Sequence, residues 1–399
     1  MVTTHYPPHH IGGDAVFVKY LADELSGRGH EVHILSNPKV SQILKKGQKG
    51  PVECTEAPHV HRYRPALPRV ELLLSYSLGM AGGARDDFRR VVREVKPDVV
   101  HWHNTKGFIP FPLPVSGVAS LMTAHDYYPV CPRTNLIRPG NVPCVEPRHC
   151  QFCLAGWRRL PQPWRIGGNR VLPIPSETRV LAPSRFVADR LREDGIQVTS
   201  VLRNFVPDPG GAIANETAVR NTLAYVGILE PHKGLDTLIR AFRDTKDLHD
   251  FELVIVGGGS LEKRISNAIK DMELSKRVTL TGRIPSEELV DVIRTSAAVI
   301  MPSIWFENCP LVALESLSYG VPLIGSNIGG IPELLTEDTG SVTFEAGDVH
   351  SLSERITAFW QEMEGLSDKK ARARRAYESR FRPDVHLSEY MNIIRGAVA

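Results

Sequence analysis

Glu307 and Glu315 bracket the run Glu307-Asn-Cys-Pro-Leu-Val-Ala-Leu-Glu315, an E-x7-E spacing. Pro310 between them suits the first turn of a helix, where its missing N–H costs nothing. The unpaired N–H groups of such a helix start, together with the helix dipole, form a site for an anion. Glu307 would sit just before the helix, and Glu315 about five residues inside it, roughly 8 Å along the axis. A phosphate at the helix end would then have a carboxylate on either side. That suits a nucleotide-sugar, with one Glu for sugar hydroxyls and the other for ribose hydroxyls. Two solvated helix carboxylates would show the same spacing. Lys233, in Gly227-Ile-Leu-Glu-Pro-His-Lys-Gly234, falls between an expected strand and an expected helix. A lysine there can neutralise a diphosphate, or it is an ordinary surface lysine. Gly12-Gly13 and Gly257-Gly258-Gly259 also follow expected strands. Glycines in such turns let a backbone come close to a phosphate, although a plain strand–helix turn uses them too.

A second constellation is Cys131-x12-Cys144-x5-Cys150-x2-Cys153, four of the six cysteines within a Pro- and Arg-rich loop. Four thiolates complete a tetrahedron, so this pattern reads as a structural Zn2+ site. Disulfides, free thiols and an iron–sulfur cluster are the alternatives, and His149 is a substitute ligand. The expected role is to order the loop. Cys54 and Cys309 look unpaired.

The elements that would position these residues alternate. Short apolar runs at Val2–Thr4, Val32–Ser36, Val99–His103, Ser120–Asp126 and Val180–Pro183 read as strands. Between them lie helical spacings such as Ala15, Val18, Leu21, Ala22 and Leu25. Ser184 is placed to cap a helix running to about Glu193. A Pro- and Gly-rich stretch over 203–211 interrupts the pattern. It then restarts with strands at Leu223–Gly227, Phe251–Gly257, Val278–Gly282, Ala298–Pro302 and Val321–Gly325. Helices are expected over Leu235–Phe242, Glu262–Met272, Ser286–Thr295 and Pro310–Ser318. The expectation is an α/β protein with two doubly wound parallel sheets. Ligands in such sheets bind at the carboxyl ends of the strands, so two facing domains would make a cleft.

Length agrees, because 399 residues exceed the ~250–300 at which one core stops growing. With 42% hydrophobic and 23% charged residues the chain is neither disordered nor fibrous. No stretch is apolar enough to span a bilayer, and no charged-then-apolar leader opens the chain. The expected location is cytoplasmic. Residues 1–205 hold 27 Lys+Arg against 17 Asp+Glu, a net of +10; the remainder holds 21 against 28, a net of −7. A basic half suits an anionic partner, or is a solvated Arg-rich face. Leu72–Leu78 with Arg85, Arg89, Arg90 and Arg93, and Trp157-Arg-Arg159 with Trp164-Arg165, would form either an apolar-plus-basic membrane contact or ordinary helix packed on the sheet.

Taken together, Pro7-Pro8…Gly12-Gly13, His103, His125-Asp126, Gly227…Lys233-Gly234, Glu307…Glu315 and Gly329-Gly330-Ile-Pro-Glu333 resemble the retaining glycosyltransferases of family 4 over essentially the whole chain. The resemblance implies the GT-B fold, two Rossmann-like domains facing across a cleft. Residues 1–205 would be the acceptor-side domain with the Cys-rich loop 131–153. Residues 206–380 would bind the nucleotide-sugar, and the helix over 381–399 would return to the first domain. It implies that Gly12 and Gly13 approach the donor diphosphate and the acceptor. His125 would bond the donor sugar, Lys233 would stabilise the leaving diphosphate, and Glu307 would hold sugar hydroxyls. Backbone N–H groups over Asn308, Cys309, Pro310 and Leu311 would touch sugar and phosphate. Glu315 would hold ribose, and Arg283 would line the base pocket. The implied reaction moves a sugar from a UDP- or GDP-sugar to a glycan or lipid-linked acceptor by front-face attack, without a catalytic metal. It would take place in the cytoplasm or at the inner face of the membrane, with no nucleic acid involved.

One position departs from the pattern. The family carries Arg directly after the Gly of the Gly227 turn, and here that residue is Ile228. Either another cation substitutes, with Arg203, Arg185 and Arg283 as candidates, or donor binding is weaker or altered. Two other functions would suit parts of the pattern. A UDP-sugar 2-epimerase shares the fold but acts on the donor alone. A Zn-stabilised nucleic-acid-binding module would leave Glu307, Glu315 and Lys233 without a role.

Overall fold

The computed structural model describes residues 1–9, 12–44, 59–145, 150–165, 171–210, 221–245 and 250–398. They divide into two compact units, Met1–Asn204 with His386–Ala399, and Phe205–Val385.

The first unit carries a seven-stranded parallel sheet. Its strands are β1 (Val2–Thr3), β2 (His33–Ser36), β3 (His59–Arg62), β4 (Val99–Trp102), β5 (Ala119–Thr123), β8 (Thr178–Ala182) and β9 (Val198–Val201). β6 (Ile137–Arg138) and β7 (Val142–Pro143) form a small antiparallel pair inside the cysteine loop. The helices are α1 (Gly13–Gly27), α2 (Pro38–Leu44), α3 (Pro68–Leu78), α4 (Gly82–Val95), α5 (Cys150–Gly156) and α6 (Arg185–Glu193). Sheet order is β3-β2-β1-β4-β5-β8-β9. The core gathers Trp102, Phe88, Phe108, Ile109 and Met122, all buried. Ser184 caps α6 as expected, accepting from the Val187 N–H.

The second unit repeats the plan with six parallel strands. They are β10 (Thr222–Val226), β11 (Glu252–Val256), β12 (Val278–Gly282), β13 (Ala298–Met301), β14 (Leu323–Ser326) and β15 (Val342–Phe344). Around them lie α7 (Leu235–Asp244), α8 (Glu262–Asp271), α9 (Ser286–Thr295), α10 (Leu311–Ser318), α11 (Val349–Gln361) and α12 (Leu366–Arg380). Near-continuous apolar runs explain why the central strands are covered on both faces: every residue of Ala298–Met301 is buried. The last helix, α13 (Pro383–Val398), lies mostly in the first unit. There the Tyr390 hydroxyl meets His101 Nδ1 at 2.9 Å and Arg179 donates to the Ile393 carbonyl.

Both sheets change direction once. In the first the order reverses between β1 and β4, in the second between β10 and β13. Crevices at such switch points, outside the carboxyl ends of the strands, are where doubly wound sheets take ligands. Gly12, His103 and Asn104 follow β1 and β4, while the Gly227–Lys233 turn and Ser303–Glu307 follow β10 and β13.

Several expectations shift. Pro310 is the residue before the helix rather than its first member, because its ψ of 125° is extended. The strand before His125 ends at Thr123, so His125 and Asp126 lie in the loop beyond it. β3, β9 and β15, absent from the sequence reading, are edge or near-edge strands of three or four residues. Among the described residues no helix is long and apolar enough to cross a membrane. α3 does turn Val70, Leu73 and Leu78 outward. The expected Trp164-Arg165 surface contact is corrected: Arg165 is 3% exposed and donates to the Tyr128 and Pro129 carbonyls, and the Trp164 indole donates to the Tyr76 carbonyl. Burial demands partners for both groups, and the loop supplies them. The α4 arginines are also partly offset, since Arg90 pairs with Asp87 and Glu94 and Arg89 with Asp86.

Candidate active site

In the second unit two loops meet at the switch point. The Ile304 N–H donates to the His232 carbonyl at 3.0 Å, tying the β13 loop to the β10 turn. Gly234 makes this possible. Its φ is +70°, and a Cβ there would stand 1.7 Å from the Pro302 carbonyl oxygen. Across this junction Lys233 Nζ donates to Glu307 Oε1 at 2.6 Å, and Ser303 Oγ donates to the same oxygen at 2.6 Å. The ammonium also stands 5.1 Å from the centre of the Trp305 ring. Glu307 is buried, and Lys233 is about one-fifth exposed. Burial alone would raise the Glu307 carboxyl, but the charge and hydrogen bond of Lys233 with that of Ser303 outweigh it and hold the group below the usual range. It is therefore an anion at neutral pH. Gly329 seats it from behind: a Cβ there would lie 2.5 Å from the Glu307 carbonyl oxygen, and the Gly330 N–H donates to that oxygen at 2.7 Å.

This geometry leaves useful valences. An ammonium has three donors, and one is spent on Glu307. Lys233 and Ser303 both bond Oε1 of Glu307. Asn308, Cys309, Pro310 and Leu311 follow directly and lead into α10, whose first N–H groups open toward this loop. Cys309 is buried.

Glu315 lies on α10 and behaves differently. Removal from water pushes its carboxyl up to about 7. Among the described residues its carboxylate has no ion pair and no recorded hydrogen bond. A carboxylate so placed suits a ligand that brings its own hydroxyl donors. The ionised form accepts two such bonds, so affinity for a hydroxyl-bearing ligand should rise from pH 6 to 8. Glu315→Gln should flatten that dependence, which a titration of affinity against pH would measure.

Arg283, exposed, stretches along the Gly-rich turn: a Cβ on Gly258 would meet its Nε at 3.2 Å. The Gly258 carbonyl accepts from the Leu229 N–H, so Arg283 lies beside the turn that carries Ile228. Ile228 itself is about half exposed. Arg185 and Arg203 belong to the first unit.

In the first unit His103 Nδ1 and His125 Nε2 are 2.9 Å apart, with the rings stacked at 5.2 Å. Burial lowers His125 to about 4 and His103 well below its usual value. Both are neutral at pH 7 and offer hydrogen bonds without charge. Gly12 precedes α1 with φ +85°, and Gly12 and Gly13 are exposed. Asn104 and Lys106 escaped the sequence reading, and Asp126 entered it only as the partner of His125 in the motif, without a role. Asn104 Nδ2 bridges Asp14 Oδ2 at 3.0 Å and Asp126 Oδ2 at 3.3 Å. Asp126, raised by burial to about 7, accepts from the Tyr128 N–H. Lys106, lowered by burial to about 8, donates to the Pro132 carbonyl. Their position directly after β4 and β5 was the available signal.

The cysteine loop begins at that same carbonyl. Cys131, Cys144, Cys150 and Cys153 all line one cavity of about 850 Å3, and none is in a disulfide. Arg133 stacks on Trp157 at 3.8 Å, and the Trp157 indole donates to the Ile137 carbonyl, which orders the loop. The sulfurs share the cavity without converging: among the described residues the only three metal-ligating groups within 4.8 Å of one another are Glu31, His33 and His59. Four thiols around one space fit a thiolate-preferring ion, which would have to draw them inward. His149 and Cys54 lie outside the described residues.

Residues 11–208 match the family model Glycosyltransferase Family 4, and residues 213–379 match Glycosyl transferases group 1. Among characterised relatives, the glycogen synthase of Mycobacterium tuberculosis is 25% identical, over 96% of this chain and 89% of its own length. Among solved structures, the sucrose-phosphate synthase of Thermosynechococcus elongatus superposes with a TM-score of 0.72 at 16% identity, covering 99% and 97% of the two chains. HepE of Anabaena, solved with UDP and glucose, gives 0.65 at 14% identity over 99% and 98%.

Proposed function

We propose, from the premise that this chain is a glycosyltransferase of the GT-B fold, that it moves a sugar from a UDP- or GDP-sugar to a glycan or lipid-linked acceptor with retention of configuration. The observation that carries the reading is the buried Lys233–Glu307–Ser303 cluster at the switch point of the second sheet. In this scheme Lys233 meets the departing diphosphate, aided by Arg283 in place of the residue missing at Ile228 and by the N–H groups over Asn308 to Leu311. Positive groups aimed at developing negative charge supply much of the rate enhancement in such transfers. Glu307 holds sugar hydroxyls and faces the positive charge growing at the anomeric carbon. Glu315 takes the ribose. The bond from the anomeric carbon to the phosphate oxygen breaks, the acceptor oxygen bonds to the same face, and its proton passes to the leaving phosphate oxygen. On the first unit, by the family resemblance, the neutral His125 would offer a hydrogen bond to a sugar hydroxyl, and Gly12 and Gly13 would leave room for a phosphate and an acceptor. HepE, solved with UDP and glucose, supports a UDP-sugar by analogy of fold. The relatives are transferases, which disfavours an epimerase or a nucleic-acid-binding module. Proton NMR of the first-formed product tests the scheme: an anomeric signal of the donor's configuration supports it, and the inverted configuration would exclude front-face attack.

We further propose that Cys131, Cys144, Cys150 and Cys153 hold a structural Zn2+. Support comes from the cavity they share. The ion would supply cross-linking of the loop and no chemistry to the transfer. Cys150→Ser should lower bound zinc by about one equivalent and lower Tm by several degrees; unchanged zinc content and Tm would refute the site.

A further inference from the structure

A second group of ligating side chains lies at the opposite ends of the strands from the sugar chemistry. β2 and β3 are parallel, with His33 paired to His59 and Leu35 to His61. Side chains two apart in a strand share a face. The spacings Glu31-x-His33 and His59-x-His61 therefore bring one carboxylate and three imidazoles together at the start of both strands. The structure shows the result. His33 Nε2 lies 2.8 Å from Glu31 Oε1, and His33 Nδ1 lies 2.9 Å from His61 Nε2. The His33 ring stacks on His59 at 4.6 Å and on His61 at 5.2 Å. Ligand atoms of Glu31, His33 and His59 all lie within 4.8 Å of one another.

We propose that Glu31, His33 and His59 bind a divalent ion of the zinc class, which fastens β3, the edge strand of the first sheet, to β2. Two imidazoles and a carboxylate are a donor set such ions accept, at about 2.0–2.2 Å per bond. Ligand atoms on a tetrahedral ion then stand roughly 3.4 Å apart, so the Glu31–His33 pair opens by about half an ångström to admit it. His59 and Glu31 are exposed, and their side chains can rotate onto the ion. His61 completes the arrangement from behind. A ligating histidine commonly donates its second ring N–H to a fixed partner, which sets its tautomer. Here His33 Nδ1–H would donate to His61 Nε2, leaving the Nε2 lone pair for the metal. The fourth position is left to water.

The test uses the untagged full chain, stripped with a chelator and titrated with Co2+. Ions on the cysteine loop produce thiolate-to-cobalt charge-transfer absorption, and an ion on Glu31, His33 and His59 does not. We expect one equivalent bound without that absorption and a Tm raised by a few degrees at saturating metal. His59→Gln and His33→Gln, each made separately, should each lose that equivalent and that rise while keeping the thiolate band. His59 is exposed, so its variant carries the test should His33→Gln fail to fold. Binding that is unchanged in His59→Gln, or bound Co2+ that all shows the thiolate band, overturns the proposal. Neither result depends on the sugar-transfer reading.

Discussion

Lys233→Met is expected to lower kcat by two to three orders of magnitude, with a smaller change in KM. Removing one preorganised donor from a developing anion typically costs ~10²–10³ in kcat. Methionine keeps the length and the apolar stem, so the change isolates the charge. It also removes a partner from the buried Glu307, 2.6 Å away. A stability loss follows, below the ~3–5 kcal/mol typical of a broken buried pair, because Lys233 is partly exposed and Ser303 still donates. The two effects separate in the double variant Lys233→Met with Glu307→Gln. With no buried anion left, it should regain much of the lost Tm and none of the turnover. Recovery of turnover in that variant would show that Lys233 matters only as the ion partner of Glu307.

Glu307→Gln is expected to lower kcat/KM by roughly tenfold to a hundredfold, as loss of a hydrogen bond to a charged group worth ~1.5–3 kcal/mol would do. Its stability should stay close to that of the wild type. The glutamine oxygen can still accept from Ser303 and Lys233, and Gly329 and Gly330 still hold the backbone. What is lost is the negative charge that, in the proposed scheme, faces the anomeric carbon. Because Glu307 stays ionised well below neutrality, its loss should shift activity alike from pH 6 to 8. The Glu315 contribution should instead change across that range, since its carboxyl titrates near 7. A pH series on the two variants distinguishes the roles.

Much of this was legible in the sequence. Unbroken apolar runs such as Leu253–Val256 and Ala298–Met301 are short enough to favour strands over helices, and both are strands, the second buried at every residue. Gly234 and Gly329 sit where a side chain would strike a carbonyl oxygen, so their glycines report real close approaches. Glu307, Lys233 and Glu315 stand out in the sequence because each belongs to a motif local to one turn or one helix, while the meeting of Lys233 with Glu307 appears only in the fold. Short edge strands were not found: β3, β9 and β15 have too few residues for a period to emerge. The Asp14–Asn104–Asp126 bridge joins residues far apart in sequence. Its geometry exists only once β1, β4 and β5 lie side by side. Trp164-Arg165 misled for the opposite reason. A basic-aromatic pair looks like surface until carbonyls are found around the guanidinium. The pairing of His33 with His59 likewise waits on register, although its alternating spacing is plain in the chain.

In the proposed scheme the second sheet holds a nucleoside diphosphate between Lys233, the start of α10 and Glu315. The most direct measurement is thermal unfolding of the purified chain in UDP, GDP, ADP and dTDP. Ligand at ~100 times its dissociation constant adds ~2.7 kcal/mol, a shift of a few degrees for domains of this size. One of the four should raise Tm by that amount, and Glu315→Ala should remove the rise. If none of the four shifts Tm at millimolar concentration, the second sheet holds no such ligand, and Lys233 and Glu307 are only an ion pair holding two loops together.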